Sequence, residues 1–332
     1  MQISFFTVFI SVVSLVIMAM PGFLLAKLKM LPEKASEALS AVVLYGCQPL
    51  LVFMSFQSYE YSAEIGRNML IVCGIAFAVH FVMIGLVCLL FRNKEDIKMK
   101  TVRYGSIFSN CGFMGIPFLS MLFSGKPEAG EILIYASVII AVFNILNWTV
   151  GVLMMTGNVK DMSVKKILLN PVIIAVVVGV IVFVTTKKPL VNLAAEGTTI
   201  HSVLNKLSAS LDYLGDAVTP LSMIVIGIKL ADVNIKQLFL DKKAYVTSFF
   251  KLVVMSFVAL ISVAFLPVSS SIKYTVFLLL SMPCATSTAL FALLFGGDGD
   301  FATVCTLLST ILSIATLPLM FLLMNGAFGI AI

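Results

Sequence analysis

Nothing constrains this chain more than ten long apolar stretches, each nearly free of charge and close to the length a helix needs to cross a bilayer. They run over 5–27, 36–57, 68–91, 102–124, 130–156, 170–186, 208–231, 244–266, 273–296 and 300–324. About 20 apolar residues in a helix span the hydrocarbon core. Short polar turns separate most of them, such as Leu31-Pro32-Glu33-Lys34, Arg92-Asn93-Lys94-Glu95-Asp96 and Gly125-Lys126-Pro127-Glu128. Only 11% of the 332 residues are charged, against about a quarter in soluble domains. A soluble enzyme, a nucleic-acid-binding domain and a disordered scaffold are thereby excluded. The expected fold class is an all-α polytopic membrane protein with ten transmembrane helices.

Orientation follows from where Lys and Arg fall. The loops after spans 1, 3, 5 and 7 hold 15 of the 22, namely Lys27, Lys29, Lys34, Arg92, Lys94, Lys98, Lys100, Arg103, Lys160, Lys165, Lys166, Lys229, Lys236, Lys242 and Lys243. The opposite loops hold 6: Arg67, Lys126, Lys187, Lys188, Lys206 and Lys273. Lys251 lies inside span 8. Both termini are therefore expected outside the cytoplasm of a multi-pass cell (inner) membrane protein. No Lys or Arg precedes Lys27, so the first span lacks the basic flank of a signal peptide and is expected to remain as a helix. The longest polar connection is Pro189 to Asn205, and Ile200 to Leu211 reads as an interfacial amphipathic helix.

Residues 1–157 and 170–332 each contain five spans, with 158–169 as a cytoplasmic linker. An odd number of spans per half makes the second half enter from the opposite side, so similarity between halves is an inverted repeat. Gln48-Pro49-Leu50 corresponds to Thr219-Pro220-Leu221, and Arg103-Tyr104 to Lys273-Tyr274. His80 lies 24 residues before Tyr104, and Lys251 lies 23 before Tyr274. Spans 4 and 9 are interrupted in matching places, by Ser109-Asn110-Cys111-Gly112-Phe113-Met114-Gly115-Ile116-Pro117 and by Ser281-Met282-Pro283-Cys284-Ala285-Thr286-Ser287-Thr288. Glycine entropy and the missing proline N–H break helices. Unwound backbone at mid-membrane persists only where protein covers it or it lines a cavity. Paired breaks in two halves point to a transporter binding site, with a packing kink as the plainer alternative. Pro49, Pro117, Pro220 and Pro283 are the expected structural breaks.

Taken in order along the chain, these residues resemble the auxin efflux carrier family, which includes plant auxin carriers and microbial permeases for small organic acids such as malonate. The motifs are Asn110-x-Gly112-Phe113-x-Gly115-Ile116-Pro117, Pro49-Leu50-Leu51-x-Phe53, Asn170-Pro171, Pro283 with Phe291-Ala292, and Leu317-Pro318-Leu319. The resemblance implies a five-plus-five inverted repeat in which helices 4 and 9 cross as broken helices. Helices 1, 2, 6 and 7 would form a scaffold, helices 3–5 and 8–10 a transport domain, and an elevator-like shift would alternate access. Plant carriers have proline where Ser109 stands, and the long cytoplasmic loop of many of them is replaced here by 158–169. The short linker points to a prokaryotic type.

Half-helix N-termini present free N–H groups and partial positive charge, so two converging at mid-membrane favour an anion. The expected substrate is a small organic anion, a carboxylate such as malonate or malate, or an auxin-like acid. Its expected binding residues are Gln48, Asn110, Cys111, Gly112, Phe113, Gly115, Asn144, Ser281, Pro283, Cys284, Thr286 and Ser287. His80 and Lys251 are expected to support the crossover and tune its charge. His80 suits proton exchange or is a neutral bundle histidine; Lys251 is a functional cation or snorkels to the cytoplasmic face. Asp216 faces a water-filled cleft or simply begins helix 7. Asn147 reads as interhelical glue. Coupling to H+ or Na+ stays open, the sodium-coupled bile-acid type of symporter being the main alternative. No cofactor, metal or nucleic acid is expected, and the six cysteines show neither metal spacing nor an exposed pair. The remaining expected partners are the lipid bilayer and a second copy through the scaffold helices.

Gly297-Asp298-Gly299-Asp300 spells the GxGD pattern of intramembrane aspartyl proteases. Their chemistry needs a second facing aspartate, and this motif falls in a turn without one. It reads as a helix N-cap, and the chain as no enzyme.

Overall fold

The computed structural model describes residues 4–57, 59–92, 96–232 and 238–327. Asn93, Lys94, Glu95 and Lys236 of the counted loops lie outside them. Among the described residues every regular element is helical. The principal helices are α1 (Phe5–Lys27), α2 (Ala35–Gln57), α3 (Ala63–Leu90), α4 (Ile97–Ile107), α5 (Cys111–Leu122), α6 (Ala129–Thr156), α7 (Pro171–Thr186), α8 (Thr199–Asp232), α9 (Lys242–Ala264), α10 (Ser270–Leu280), α11 (Ser287–Leu294) and α12 (Gly299–Ala327).

Seven of these, α1, α2, α3, α6, α8, α9 and α12, are each long and apolar enough to cross a membrane. The segment before α7 joins it as an eighth, bent by 49°. The expected spans 102–124 and 273–296 are not single helices; each is a pair of short ones, α4 with α5 and α10 with α11. The separate interfacial helix expected at Ile200 to Leu211 is instead the first part of α8, continuous with the span that follows. No proline lies between Ile200 and Thr219, and the one glycine there, Gly215, is packed on Leu51, so the amphipathic turns extend straight into the apolar ones.

Side-chain caps fix where the helices begin. Ser62 accepts the Ile65 N–H at 3.1 Å, Asn170 accepts that of Val172 at 2.9 Å ahead of Pro171, and Asp96 and Asp241 accept those of Lys98 and Lys243, both at 2.9 Å. Each cap supplies an acceptor that the first turn lacks. α6 ends at Gly157, whose φ of 75° is the left-handed stop that glycine adopts at least cost.

The two acidic caps also brace one another. Lys98 Nζ donates to Asp241 at 2.8 Å, and Lys243 donates to Asp96. The Lys243 ammonium holds the Asp96 carboxyl below its usual range.

Helix packing brings α1 along the second half of α8, where Gly22 meets the Ile224 backbone and Gly227 meets the Ala19 carbonyl. A methyl at either position would overlap main chain. α2 packs on α7, with Gln57 Nε2 donating to the Gly179 carbonyl at 3.1 Å. It also packs on α8 at Gly215. α3 lies against α6, and α9 and α11 against α12. A large buried core joins most of these helices, and it contains the two interruptions.

Pro49 and Pro220 do not break their helices. α2 runs through Pro49 because a wide π-helical turn, Val42–Cys47, precedes it. α8 runs through Pro220 with only Ala217 out of pattern. Pro117 falls in the first turn after the wide opening of α5, where its missing N–H costs little. Only Pro283 lies within a break.

Candidate functional site at the crossing of two interrupted helices

α4 stops at Ile107 because Phe108 turns extended (φ −80°, ψ 120°). The short segment before α5 meets the one between α10 and α11, with Ser109 antiparallel to Cys284. The Asn110 N–H donates to the Pro283 carbonyl at 2.8 Å, and the Ala285 N–H to the Phe108 carbonyl at 2.9 Å. Each unwound segment thus satisfies the other's main chain. This resolves the cost of irregular backbone among apolar residues. Serine at 109, rather than proline, still sustains the break, and its hydroxyl donates to the Leu280 carbonyl at 3.1 Å.

The residues ahead of the two half-helices touch. Thr286, before α11, donates its hydroxyl to Asn110 Oδ1, before α5, at 3.1 Å. Two helix N-termini therefore meet here, with their first N–H groups lacking intrahelical acceptors. Asn110 is buried, and its Nδ2 has no partner. Gln48 of α2 lies against Gly112, so closely that a methyl there would overlap Gln48 Nε2. Gln48 is also buried, with Oε1 unpartnered.

Cys111 Sγ donates to the Ser109 carbonyl at 3.2 Å, and the Cys284 N–H donates to Ser309 Oγ at 3.0 Å. Gly115 donates its N–H to the Asn110 carbonyl at 3.0 Å and packs on Leu279. Phe113 is part of the core. Ser281 closes α10 with its hydroxyl buried and unpartnered.

Lys251 does not snorkel. It is fully buried, and Nζ donates to the Leu280 carbonyl at 2.7 Å, the same carbonyl that Ser109 uses. An ammonium thus sits at the C-terminal end of α10, where helix carbonyls favour a cation. His80 is equally buried, with Nδ1 paired to the Ala76 carbonyl at 2.7 Å and Nε2 unpartnered, its ring 6.3 Å from that of Phe108.

Two expected residues lie apart from this cluster. Asn144 accepts from Asn170 Nδ2 at 3.0 Å and donates to Ile140, tying α6 to the start of α7. Asp216 is exposed on α8. Asp298 of the GxGD sequence accepts the Phe301 N–H at 2.9 Å, which is the N-cap role read from its turn.

Several contributors escaped the sequence reading. Tyr104 bonds both Asn147 and Ser287, the latter at 3.0 Å, so Asn147 reaches the start of α11 through one hydroxyl. Thr306 donates to the Ala285 carbonyl at 3.4 Å, which also accepts at 2.6 Å from Thr288, a residue the sequence does mark within the second break. The signal for α12 was present: Thr306, Ser309 and Ser313 recur at helical spacing on one face of an apolar span. The wide π turns at Val42–Cys47, Cys111–Gly115, Asn147–Gly151 and Phe250–Val254 each contain or adjoin a site residue. Such turns frequently mark functional positions.

Residues 7–321 match the profile of a family described as membrane transport protein. An uncharacterized transporter of Methanothermobacter thermautotrophicus is 24% identical over 320 residues, covering 93% of this chain and 96% of its own. A protein of Rhizobium meliloti described as a candidate malonate transporter is 26% identical over 322 residues, covering 92% of both. The chain belongs to that membrane transport family, the auxin efflux carrier family.

Proposed function

We propose that this member of the family is a secondary active transporter of a small organic anion, a short carboxylate of the malonate type. The observation that carries the reading is the meeting of two half-helix N-termini beside the buried Asn110 Nδ2, a donor without a partner. Both features stabilise negative charge in a water-poor setting, and nothing acidic touches Asn110 among the contacts described. The candidate malonate transporter of Rhizobium meliloti supports the same substrate class.

In this reading the interrupted pairs count as spans 4 and 9, and the chain is a five-plus-five inverted repeat in a cell membrane with both termini outside the cytoplasm. The symmetric exchange of two hydrogen bonds around Ser109 and Cys284 is what a two-fold between halves produces. α1, α2, α7 and α8 form the static scaffold. The crossing moves past it with α3, α6, α9 and α12 as one body, in an elevator-type shift. The Lys251 ammonium already supplies a positive charge at the crossing, bonded to the Leu280 carbonyl, which favours proton-linked or uncoupled transport over sodium symport. His80, with one ring nitrogen free, is the proton-carrying group of this scheme.

Uptake of malonate and malate into proteoliposomes, at two pH values with and without sodium, tests it. Saturable carboxylate uptake that responds to pH and ignores sodium is the expected result. Stabilisation by neutral or cationic compounds alone would overturn the anion reading, and a strict sodium requirement would overturn the coupling assignment.

A further inference from the structure

The geometry points to Gln48 as the residue that sets substrate specificity, selecting anions that carry a hydrogen-bond donor beside the carboxylate: 2-hydroxy acids and half-protonated short dicarboxylates. This rests on the anion-transport reading and narrows it.

Hydrogen-bonding capacity at the crossing is unequal. Asn110 Oδ1 is occupied by the Thr286 hydroxyl at 3.1 Å, which leaves its Nδ2 as a donor. The Cys111 N–H is taken by the Ser109 carbonyl at 2.8 Å and the Thr288 N–H by the Ala285 carbonyl at 3.0 Å, which leaves those of Gly112, Phe113 and Ser287 as donors at the two helix starts. A carboxylate only accepts and suits all of these. Gln48 is the exception, because it enters from α2 with its unpartnered acceptor Oε1 buried. Its exposure is 3%, so solvent does not reach the group freely.

Gly112 explains the amide's setting. Nε2 lies over the glycine, filling the space a side chain would take. That places the Gln48 amide against the first turn of α5, two residues from Asn110. A bare carboxylate arriving there would set acceptor against acceptor at Oε1. A substrate hydroxyl, or the proton of a hydrogen dicarboxylate, would instead complete the pairing.

A site built to bond a substrate hydroxyl rejects the analogue lacking it far more strongly than an apolar pocket rejects an extra group. Buried side-chain amides in a lipid-embedded chain are otherwise unfavourable. Glutamine among Cys47, Pro49, Leu50 and Leu51 therefore calls for a ligand-based explanation.

The test compares matched acids on the full-length protein in proteoliposomes: lactate against propionate, and malonate across a pH series. Wild type should favour lactate over propionate by about tenfold or more, and malonate uptake should follow its monoanion. Gln48→Leu should bring the lactate-to-propionate ratio of kcat/KM down to about one within a reduced uptake, and Gln48→Glu should lose uptake at neutral pH and regain it on acidification. If wild type carries both monocarboxylates equally, or Gln48→Leu keeps the preference, the Gln48 assignment is overturned and the anion reading stands. If no carboxylate is carried at all, the anion reading itself fails. Should Gln48→Leu fail to fold, the wild-type comparison alone decides.

Discussion

Replacing Lys251 by methionine separates a structural cation from a functional one. The ammonium makes one charge-assisted bond, to the Leu280 carbonyl at 2.7 Å. Such a bond is worth about 1.5–3 kcal/mol. Against it stands the cost of holding a lysine deep in an apolar span, about 2.5–3.5 kcal/mol on insertion scales. Methionine matches the stem in length, and Leu280 keeps the Ser109 hydroxyl at 3.1 Å, so its carbonyl is not orphaned. The net effect on stability should lie between about 0.5 kcal/mol of loss and 2 kcal/mol of gain. Substrate affinity should respond differently. A unit charge about 8 Å from an anion, at an effective dielectric of about 20, would contribute about 2 kcal/mol, or roughly thirtyfold. Lys251→Met should therefore fold with a near-normal Tm in detergent and show a KM for malonate raised by about that factor. A collapse of Tm would make Lys251 a structural brace. An unchanged KM in a well-folded variant would refute the electrostatic argument.

Other substitutions test neighbouring parts of the reasoning. Tyr104→Phe strands Asn147 and Ser287, both partners of one buried hydroxyl, and should cost about 1–3 kcal/mol in thermal unfolding. Gly227→Ala drives a methyl into the Ala19 carbonyl and should destabilise by about 1–3 kcal/mol through overpacking, read as a lowered Tm. The Asp96–Lys243 pair gives a pH test of known sign. Because the folded carboxyl is held below its usual range, its contribution is present above the unfolded carboxylate pKa and is lost as pH falls through the lower folded value. Asp96→Asn keeps the helix cap and should flatten that acid dependence, an effect that salt also weakens. A membrane-permeant maleimide should label the exposed Cys88 and spare the buried Cys111, Cys284 and Cys305, with mass spectrometry of the labelled peptides as the readout.

The apolar stretches made the long helices legible, because length and absence of charge are all that a spanning helix requires. The two interruptions were also legible, since Gly, Pro, Ser and Asn clusters stand out in so apolar a chain. What carries a break was not. Pro49 and Pro220 look like breakers, yet their helices continue, because a neighbouring wide turn or a one-residue lapse absorbs the missing N–H. Ser109 looks permissive and lies at the centre of a break, because hydrogen bonds to Pro283 and Leu280, far along the chain, hold the extended backbone there. Asn144 and Asp216 are polar residues whose surroundings lie away from the crossing, Asn144 bonded to Asn170 and Asp216 exposed on α8. Tyr104 was noticed only as a marker of symmetry. Its partners Asn147 and Ser287 lie 43 and 183 residues away, beyond any local pattern.

The four wide turns explain why facing was the hardest property to read. One extra residue in a helical turn rotates everything beyond it by about 100°. A periodicity counted from the start of α2 or α9 therefore assigns the wrong side to residues past the turn. In α9 the wide turn Phe250–Val254 contains Lys251, and in α2 the turn Val42–Cys47 ends just before Gln48. Both side chains are thereby delivered inward, to the crossing, from helices whose composition is ordinary for a lipid-facing span. The same device opens α5, where Cys111–Gly115 is the wide turn and Gly112 leaves room for Gln48. Each such turn gives up regular hydrogen bonding among apolar residues, which is unfavourable unless something is gained. Here the gain is placement: the polar groups of the site are carried by helix defects, so removing a defect should move a side chain out of the site without changing its identity. Deleting one residue from the wide turn of α2, for instance Val43, should turn Gln48 away from Gly112. The helix should remain intact by circular dichroism, while any lactate preference over propionate falls to that of Gln48→Leu. Retained preference in the deletion variant would show that the turn does not place Gln48.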